Sequence, residues 1–540
     1  MKNKVIFLFL LFSFAVFSKE FKVDESVEIT ADKGNPASYL YIDKKEIESL
    51  SVNSEQELLF LFPCVYLSVR GVNGIQADLS FRGSKGNQVE VSVLGVPLNN
   101  LQTYHHNFDI PLAPEDIEYV EAESSSNANL TPYSFAGKIN FVPGDNKKEF
   151  NHLAYGSHDY YHIYARENGL SYLFEGSGGY AENTEYNLSN ITYQFDYKGV
   201  KFFTAFNSKH FDAKDFYAPY PSYEKTQTSV LIASWRKTKF YGVRHYDIFT
   251  LDKNNPDLFR NITETYKTGI VSSMNTKFGF FSLNLEFNQM NSKVMGRHNT
   301  LLSILKYARV FSFSGFNFRA GLNLFSATKN GDYLLPFFNV ARDFGKYRLS
   351  FDFSQSVRVP DFTELYYNSP VNTGNENLRE EKSDNFQISL SFGKANFSLF
   401  FRDEKNLIDW VRVENYWRAE NIDSENVYGF DLNYTFKKLK IGFEHVHRDK
   451  PSFETKYSFY YPKNKLTLVY MGRDFSLDYN YLDIDGLNKA YVLNLTFWGQ
   501  GFYLKILNAL DEDYQTYPGI PMPGRVIVFG YRMRGPLIPD

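Results

Sequence analysis

The sequence predicts an all-β transmembrane barrel of about 22 antiparallel strands, with an N-terminal α+β plug domain folded inside it. Three observations carry this. The chain opens on a short apolar leader, and strict period-two alternation sets in from about residue 146. Aromatic residues reach 18% of the chain, with 52 Phe and 40 Tyr, while mean hydropathy stays at −0.38. That balance suits a thin, aromatic-rich apolar surface interleaved with polar side chains rather than a conventional aliphatic core.

The leader, residues 1–18, carries Lys2 and Lys4, then the apolar run Val5–Phe17, then the small Ser18. This is the pattern of a secretory signal peptide cleaved after Ser18. Its apolar run is short for a bilayer-spanning helix. No cysteine stands at the cleavage point, which argues against a lipoprotein, and no long uncharged apolar run follows.

Residues 19–31 read as a periplasmic tail and 32–145 as a small mixed domain. Asp43-Lys-Lys-Glu46 and Ser54-Glu-Gln-Glu57 have capping-box spacing and predict two short helix starts. The second helix ends before Pro63. Short strands follow at 78–81, 88–94, 117–122 and 138–142.

The remaining 395 residues, 146–540, alternate. Phe281, Leu283, Leu285 and Phe287 are separated by Ser282, Asn284 and Glu286. Tyr347 to Phe353, Phe386 to Phe392, Tyr428 to Phe436 and Phe475 to Tyr481 follow the same rule. After a secretory leader, segments of this kind place apolar side chains against outer-membrane lipid and polar ones in the lumen. Only a closed barrel leaves no unpaired edge in lipid. At ~10 residues per strand plus connections, 395 residues supply about 22 strands. A barrel that wide needs a plug.

Net charge is −4, which gives no reason to expect a nucleic-acid partner. The one cysteine, Cys64, excludes an intrachain disulfide and a cysteine-cluster metal site, and reads as a small buried residue. No Gly-x-Ser-x-Gly or His-Glu-x-x-His occurs, and no enzymatic activity is expected.

Several motifs resemble those of TonB-dependent outer-membrane receptors. Phe81-Arg82-Gly83 resembles the R-G of their plugs, Leu94-Gly95-Val96-Pro97-Leu98 their D-G-V-P-L, Ile117–Glu121 their I-E-x-V-E, and Phe135–Phe141 their A-x-G-G-x-I-N-I. In the barrel, Arg358, Pro360, Glu364 and Tyr366 fit R-x-P-x-x-x-E-L-Y. Asn508–Tyr514 and Pro521–Arg525 fit the closing signature. Leu94 stands where Asp is usual, Ala136-Gly137 where Gly-Gly is commoner, and nine residues follow Tyr531, near which such barrels usually end on an aromatic. The glycines Gly83, Gly95 and Gly137 are expected to be structural, and Arg82 to form a plug–barrel or plug-internal ion pair.

This resemblance implies active transport driven by TonB. Glu25, Ser26, Val27, Glu28, Ile29, Thr30 and Ala31 resemble the Ton box, which pairs as an added strand with TonB. Cargo contacts are expected on plug loops 72–77 and 99–107, with Asn99, Gln102, Tyr104, His105 and His106 as candidates. The run His105-His106-Asn107-Phe108-Asp109-Ile110-Pro111 resembles plugs of the cobalamin-receptor branch, so a corrinoid is the first expectation. A ferric siderophore or haem is the alternative; a passive channel or adhesin is the alternative of another class. Two adjacent histidines without a third ligand make a poor metal site, so no metal ligand set and no cofactor are expected. A loop calcium site of the cobalamin-receptor kind is not assignable to residues.

Overall fold

The computed structural model describes residues 39–534, apart from 70–75, 125–132, 134, 146, 216–218, 329, 370, 423, 450–454 and 457–459. The leader, the segment Glu25–Ala31, most of loop 72–77 and the last six residues lie outside the described residues.

The barrel is closed and has 22 strands, every neighbouring pair antiparallel. It runs from Phe150–Gly156 to Val526–Arg534, and those two strands close it through Val528↔Gly156 to Arg534↔Phe150. The alternation works as expected. On strand Gly279–Ser292, Asn284, Glu286 and Asn288 are buried toward the lumen, whereas Leu285 and Phe287 are 37% and 43% exposed on the outer wall. No helix among the described residues is long and apolar enough to cross a membrane.

The two rims differ. One is closed by tight turns such as Asn168-Gly169, Lys198-Gly199 and Ser314-Gly315, with positive φ at both residues. This is the turn that matches the twist of paired strands. Outward-facing rings pair across strands beside it: Phe195 on Phe202 at 4.8 Å, Phe311 on Phe318 at 5.0 Å, Tyr347 on Phe392 at 4.7 Å. Short turns and an aromatic girdle mark the periplasmic rim. The opposite rim carries longer loops, including a small sheet of Ile408–Val413, Tyr416–Asn421 and Asn372–Thr373.

The plug contains β1 (Tyr39–Asp43), α1 (Lys44–Ser49), α2 (Glu55–Phe60), β2 (Val65–Val69), β3 (Ala77–Phe81), β4 (Val89–Val93), β5 (Val96–Pro97), β6 (Ile117–Ser124) and β7 (Gly137–Pro143). Its main sheet runs β1-β6-β7-β4-β5, with β4 and β7 parallel, and β2–β3 form a separate pair. Three of these strands, β1, β2 and β5, are additional to the sequence expectation. The capping box at Asp43 is complete. At α2 only half of it forms: Ser54 accepts from Glu57 N at 3.3 Å, but the Glu57 carboxylate accepts from Asn53 N and pairs with Lys505 of the barrel. A wall cation has taken the side chain. Cys64 is buried, and burial pushes its thiol well above the ordinary range.

The plug glycines sit where side chains do not fit. Gly83 has φ +71°, and a Cβ there would come within 2.9 Å of Val446 on the barrel. Gly137 has ordinary backbone angles, but a Cβ would meet the Phe81 ring at 2.8 Å. Leu94-Gly95 forms the turn between β4 and β5. Arg82 reaches the wall, pairing with Asp431 at 2.6 Å and donating to Gln387 at 2.8 Å.

The inverted pattern makes a direct prediction. Leu285→Arg, midway along its strand on the outer wall, should cost about 2–4 kcal/mol in barrel stability. Reversible denaturant unfolding in lipid vesicles measures this; a change within 0.5 kcal/mol, roughly the size of a benign surface substitution, would show that this face is not in hydrocarbon.

Candidate functional site

Between β5 and β6 the plug climbs to the extracellular rim in a loop that is built before it reaches any ligand. Asn99 anchors its base: Oδ1 accepts from Val91 N at 2.9 Å and Nδ2 donates to Val89 O at 2.8 Å. Its buried amide is bonded within the plug, and Asn99 does not line the vestibule cavity. Asn107 Oδ1 ties the loop across its neck by accepting from Asn100 N at 2.8 Å. Thr103 caps the tight turn Tyr104–His106, its hydroxyl accepting from His105 N.

The turn sends the two imidazoles apart. His105 Nδ1 meets Asp78 at 2.8 Å, and its ring lies 4.1 Å from that of Tyr104. His106 is buried toward the barrel, with its ring 4.5 Å from His245. Burial alone would lower the His106 pKa, but Asp109 and Asp247 within reach, and the charges of Asp247 and Glu224, hold it well above the ordinary value. Asp109, also buried, is held well below the usual carboxylate range by the Lys209 ammonium at 2.5 Å and by His106. Gln102 Nε2 donates to Asp247 at 3.0 Å.

Gln102, Tyr104, His105 and His106 floor a cavity of about 280 Å³. Its walls come from the barrel: Phe249 and Phe259, Tyr367, Trp410, and the charged Glu224, Asp247 and Lys456. Tyr220, Leu258 and Val371 at its edge are exposed, so the space reaches the outside. None of these wall residues was singled out in the sequence. The only available signal was that Glu224 and Asp247 fall on inward positions of paired strands, where Glu224 faces Phe249 and Asp247 faces Thr226.

The motif around Arg358 builds the lid of this floor. Asp361 caps α3 (Phe362–Tyr366) in a full capping box with Glu364. Arg358 holds Glu364 bidentately at 2.9 and 3.0 Å and Glu381 at 2.5 Å. The start of α3 then grips the apex loop: Phe362 N donates to Leu101 O at 2.7 Å and Thr363 N to Gln102 O at 2.9 Å.

Comparison with known proteins decides the family. The profile described as TonB dependent receptor-like, beta-barrel matches residues 99–526, and the TonB-dependent Receptor Plug Domain matches 31–134. The chain belongs to the TonB-dependent receptors. It is 22% identical over 484 residues to the vitamin B12 transporter BtuB of Vibrio vulnificus, covering 78% of this chain and 77% of that one. Solved structures with the same fold include the siderophore receptor PirA of Acinetobacter baumannii (13% identity, TM-score 0.66, 92% and 98% covered) and the FrpB iron transporter of Neisseria meningitidis (12%, 0.69, 92% and 99%). This receptor is therefore an outer-membrane protein of TonB-dependent transport, and its family consists of transporters rather than enzymes. The plug filling the barrel also disposes of the passive-channel reading.

Arg358→Ala should leave Glu364 without its cation and Glu381 with only Lys85 at 3.7 Å, a loss of roughly 3–5 kcal/mol. Amide exchange in 359–366 and 101–103 should accelerate together; acceleration in the first segment alone would separate α3 from the apex loop.

Proposed function

We propose that this receptor imports a corrinoid, or another metal complex of neutral or positive charge, seated on the plug apex. The observation that carries the reading is the character of the vestibule. Aromatic walls offer flat apolar contact to a macrocycle, and Gln102, Tyr104 and His105 offer hydrogen bonds to amide side groups. On the wall Glu224 and Asp247 face His106, Glu364 is paired with Arg358, and Lys456 is the remaining cation, so the lining carries no surplus of positive charge. Such a lining offers a polyanionic ferric catecholate no counter-charge and suits a neutral or cationic complex. The relationship to a vitamin B12 transporter supports the same choice. The siderophore receptors among the structural neighbours share the fold at low identity and do not weigh on cargo.

Energy would enter through TonB, paired as a strand with Glu25–Ala31. A proline in such a segment removes a backbone donor.

Titration of the purified receptor with cyanocobalamin, cobinamide, haem and a ferric catecholate tests the cargo. The corrinoids should bind, and Tyr104→Ala with His105→Ala should weaken them at least tenfold while the barrel still assembles. Tight binding of the catecholate without corrinoid binding would overturn the assignment in favour of a siderophore. Val27→Pro should abolish uptake in cells yet leave surface binding intact; unchanged uptake would place TonB contact elsewhere.

A further inference from the structure

Three buried atoms around His106 have no hydrogen-bond partner: Asp109 Oδ2, Asp247 Oδ1 and His245 Nε2. Their residues are only 7%, 2% and 4% exposed. A buried polar atom left this way normally costs about 1–3 kcal/mol. Asp109 Oδ2 and His245 Nε2 face each other at 4.0 Å, and Asp247 Oδ1 is the one on the vestibule side that calls for a partner. The donor spacings say what kind. His106 Nε2 lies 3.7 Å from both Glu224 Oε1 and Asp247 Oδ2, and His106 Nδ1 lies 3.6 Å from Asp109 Oδ2. These are too long for hydrogen bonds. The two 3.7 Å spacings at Nε2 are close to the ligand–ligand separation of roughly 3.3–3.6 Å that tetrahedral bonds of about 2.0–2.2 Å produce around one ion.

We propose that His106, Glu224 and Asp247 form a binding site for a first-row divalent transition-metal ion, bridging the plug apex to the barrel wall. Charge selects this triad over His106, Asp109 and His245, which also lie close enough to share an ion. The first set offers two carboxylates and an imidazole. In the second, the single carboxylate is already neutralised by Lys209 at 2.5 Å. Access selects it too: His106, Glu224 and Asp247 all line the vestibule cavity, so a fourth position opens toward an incoming ligand.

The surroundings suit the role. Asp109 faces the other ring nitrogen of His106 at 3.6 Å, and Gln102 fixes Asp247 by donating to it at 3.0 Å. Mixed imidazole and carboxylate donors favour Zn²⁺, Co²⁺ or Ni²⁺ over the oxygen-seeking Ca²⁺ and Mg²⁺. The cluster Glu115, His152 and His162 shows the contrast. There the ring nitrogens already have partners: His152 bonds Glu115 and Tyr503, and His162 bonds Glu115 at 2.9 Å and Glu175 at 2.7 Å. All four ring nitrogens are thereby used, so neither imidazole has a nitrogen left for an ion. The third ligands that the adjacent histidines lack in sequence are supplied at His106 by the barrel.

The site goes beyond the corrinoid reading, because protein donors rather than a macrocycle hold the ion, and it is tested without any corrinoid. The full mature receptor in detergent, stripped with a chelator, is titrated with Co²⁺ and followed by visible absorption. One Co²⁺ per chain should bind, be displaced by Zn²⁺ and resist excess Ca²⁺ or Mg²⁺. His106→Gln and Asp247→Asn should each weaken binding at least tenfold in barrels that keep their heat-modifiable mobility. X-ray absorption of Co²⁺ on the wild-type receptor needs no variant: one imidazole with oxygen donors is expected. Two or more imidazoles, absence of stoichiometric binding, or affinity that survives both substitutions would overturn the site.

Discussion

The structure depends on how the barrel wall disposes of its inward-pointing cations. A buried ammonium or guanidinium is tolerable only when its protons are bonded. Some of these cations pair with wall carboxylates, as Arg448 does with Glu404 and Glu425, and several also take main-chain carbonyls of the plug. Lys465 donates to Phe62 O and Val65 O at 2.8 and 2.6 Å, Lys505 to Ser51 O at 2.9 Å, Lys267 to Asn99 O at 2.6 Å, and Arg448 to Gly83 O at 2.8 Å. Plug and wall thus specify each other: turns and loop ends in the plug expose carbonyls, and the lumen places a charge opposite each. A hydrogen bond from a charged donor is worth about 1.5–3 kcal/mol net, and the plug also packs on barrel side chains such as Phe203, Val230 and Ile232 in one apolar cluster.

Those bonds are also ordered along the chain. The first plug elements sit at the periplasmic rim: Ser476 and Trp498 donate to Ser49 O, and Lys440 pairs with Glu46. The Arg82–Gly83 turn is held further in by Asp431 and Arg448, and the 101–106 loop lies at the far rim under α3. A displacement starting at residue 39 meets these contacts one group after another, so the barrier at each step is that of a few bonds rather than of the whole interface.

What could be read from the sequence follows from the range of each interaction. Period-two alternation is local, so the outer and inner faces of strands such as 279–292 were legible from side-chain order alone. The capping box at Asp43 is local as well. At Glu57 the reading failed by half, because Lys505 lies 448 residues away and nothing near Ser54 announces it. Strands β1, β2 and β5 are short and take their conformation from sheet neighbours, which leaves little pattern of their own. Asn99 is a polar residue in a polar loop, where a role in recognition is expected, and its amide braces β4 through two hydrogen bonds.

The candidate site divides along the same line. Its floor is contiguous sequence, residues 102–106, and was visible as a motif. Its walls are not. Glu224 and Asp247 become neighbours only through the register of two strands, and both meet His106 only because the plug is held at one height in the barrel by the wall cations. Alternation identifies an inward-facing acid but not its depth, since depth is set by register and by plug docking. The cation-to-carbonyl bonds that fix the plug therefore also fix whether two acids and an imidazole stand 3.7 Å apart or out of reach. Moving the plug by a single residue's rise, about 3.3 Å, would exceed the tolerance of any metal–ligand bond. The vestibule chemistry is consequently a property of the docked plug, and displacing the plug must dismantle it.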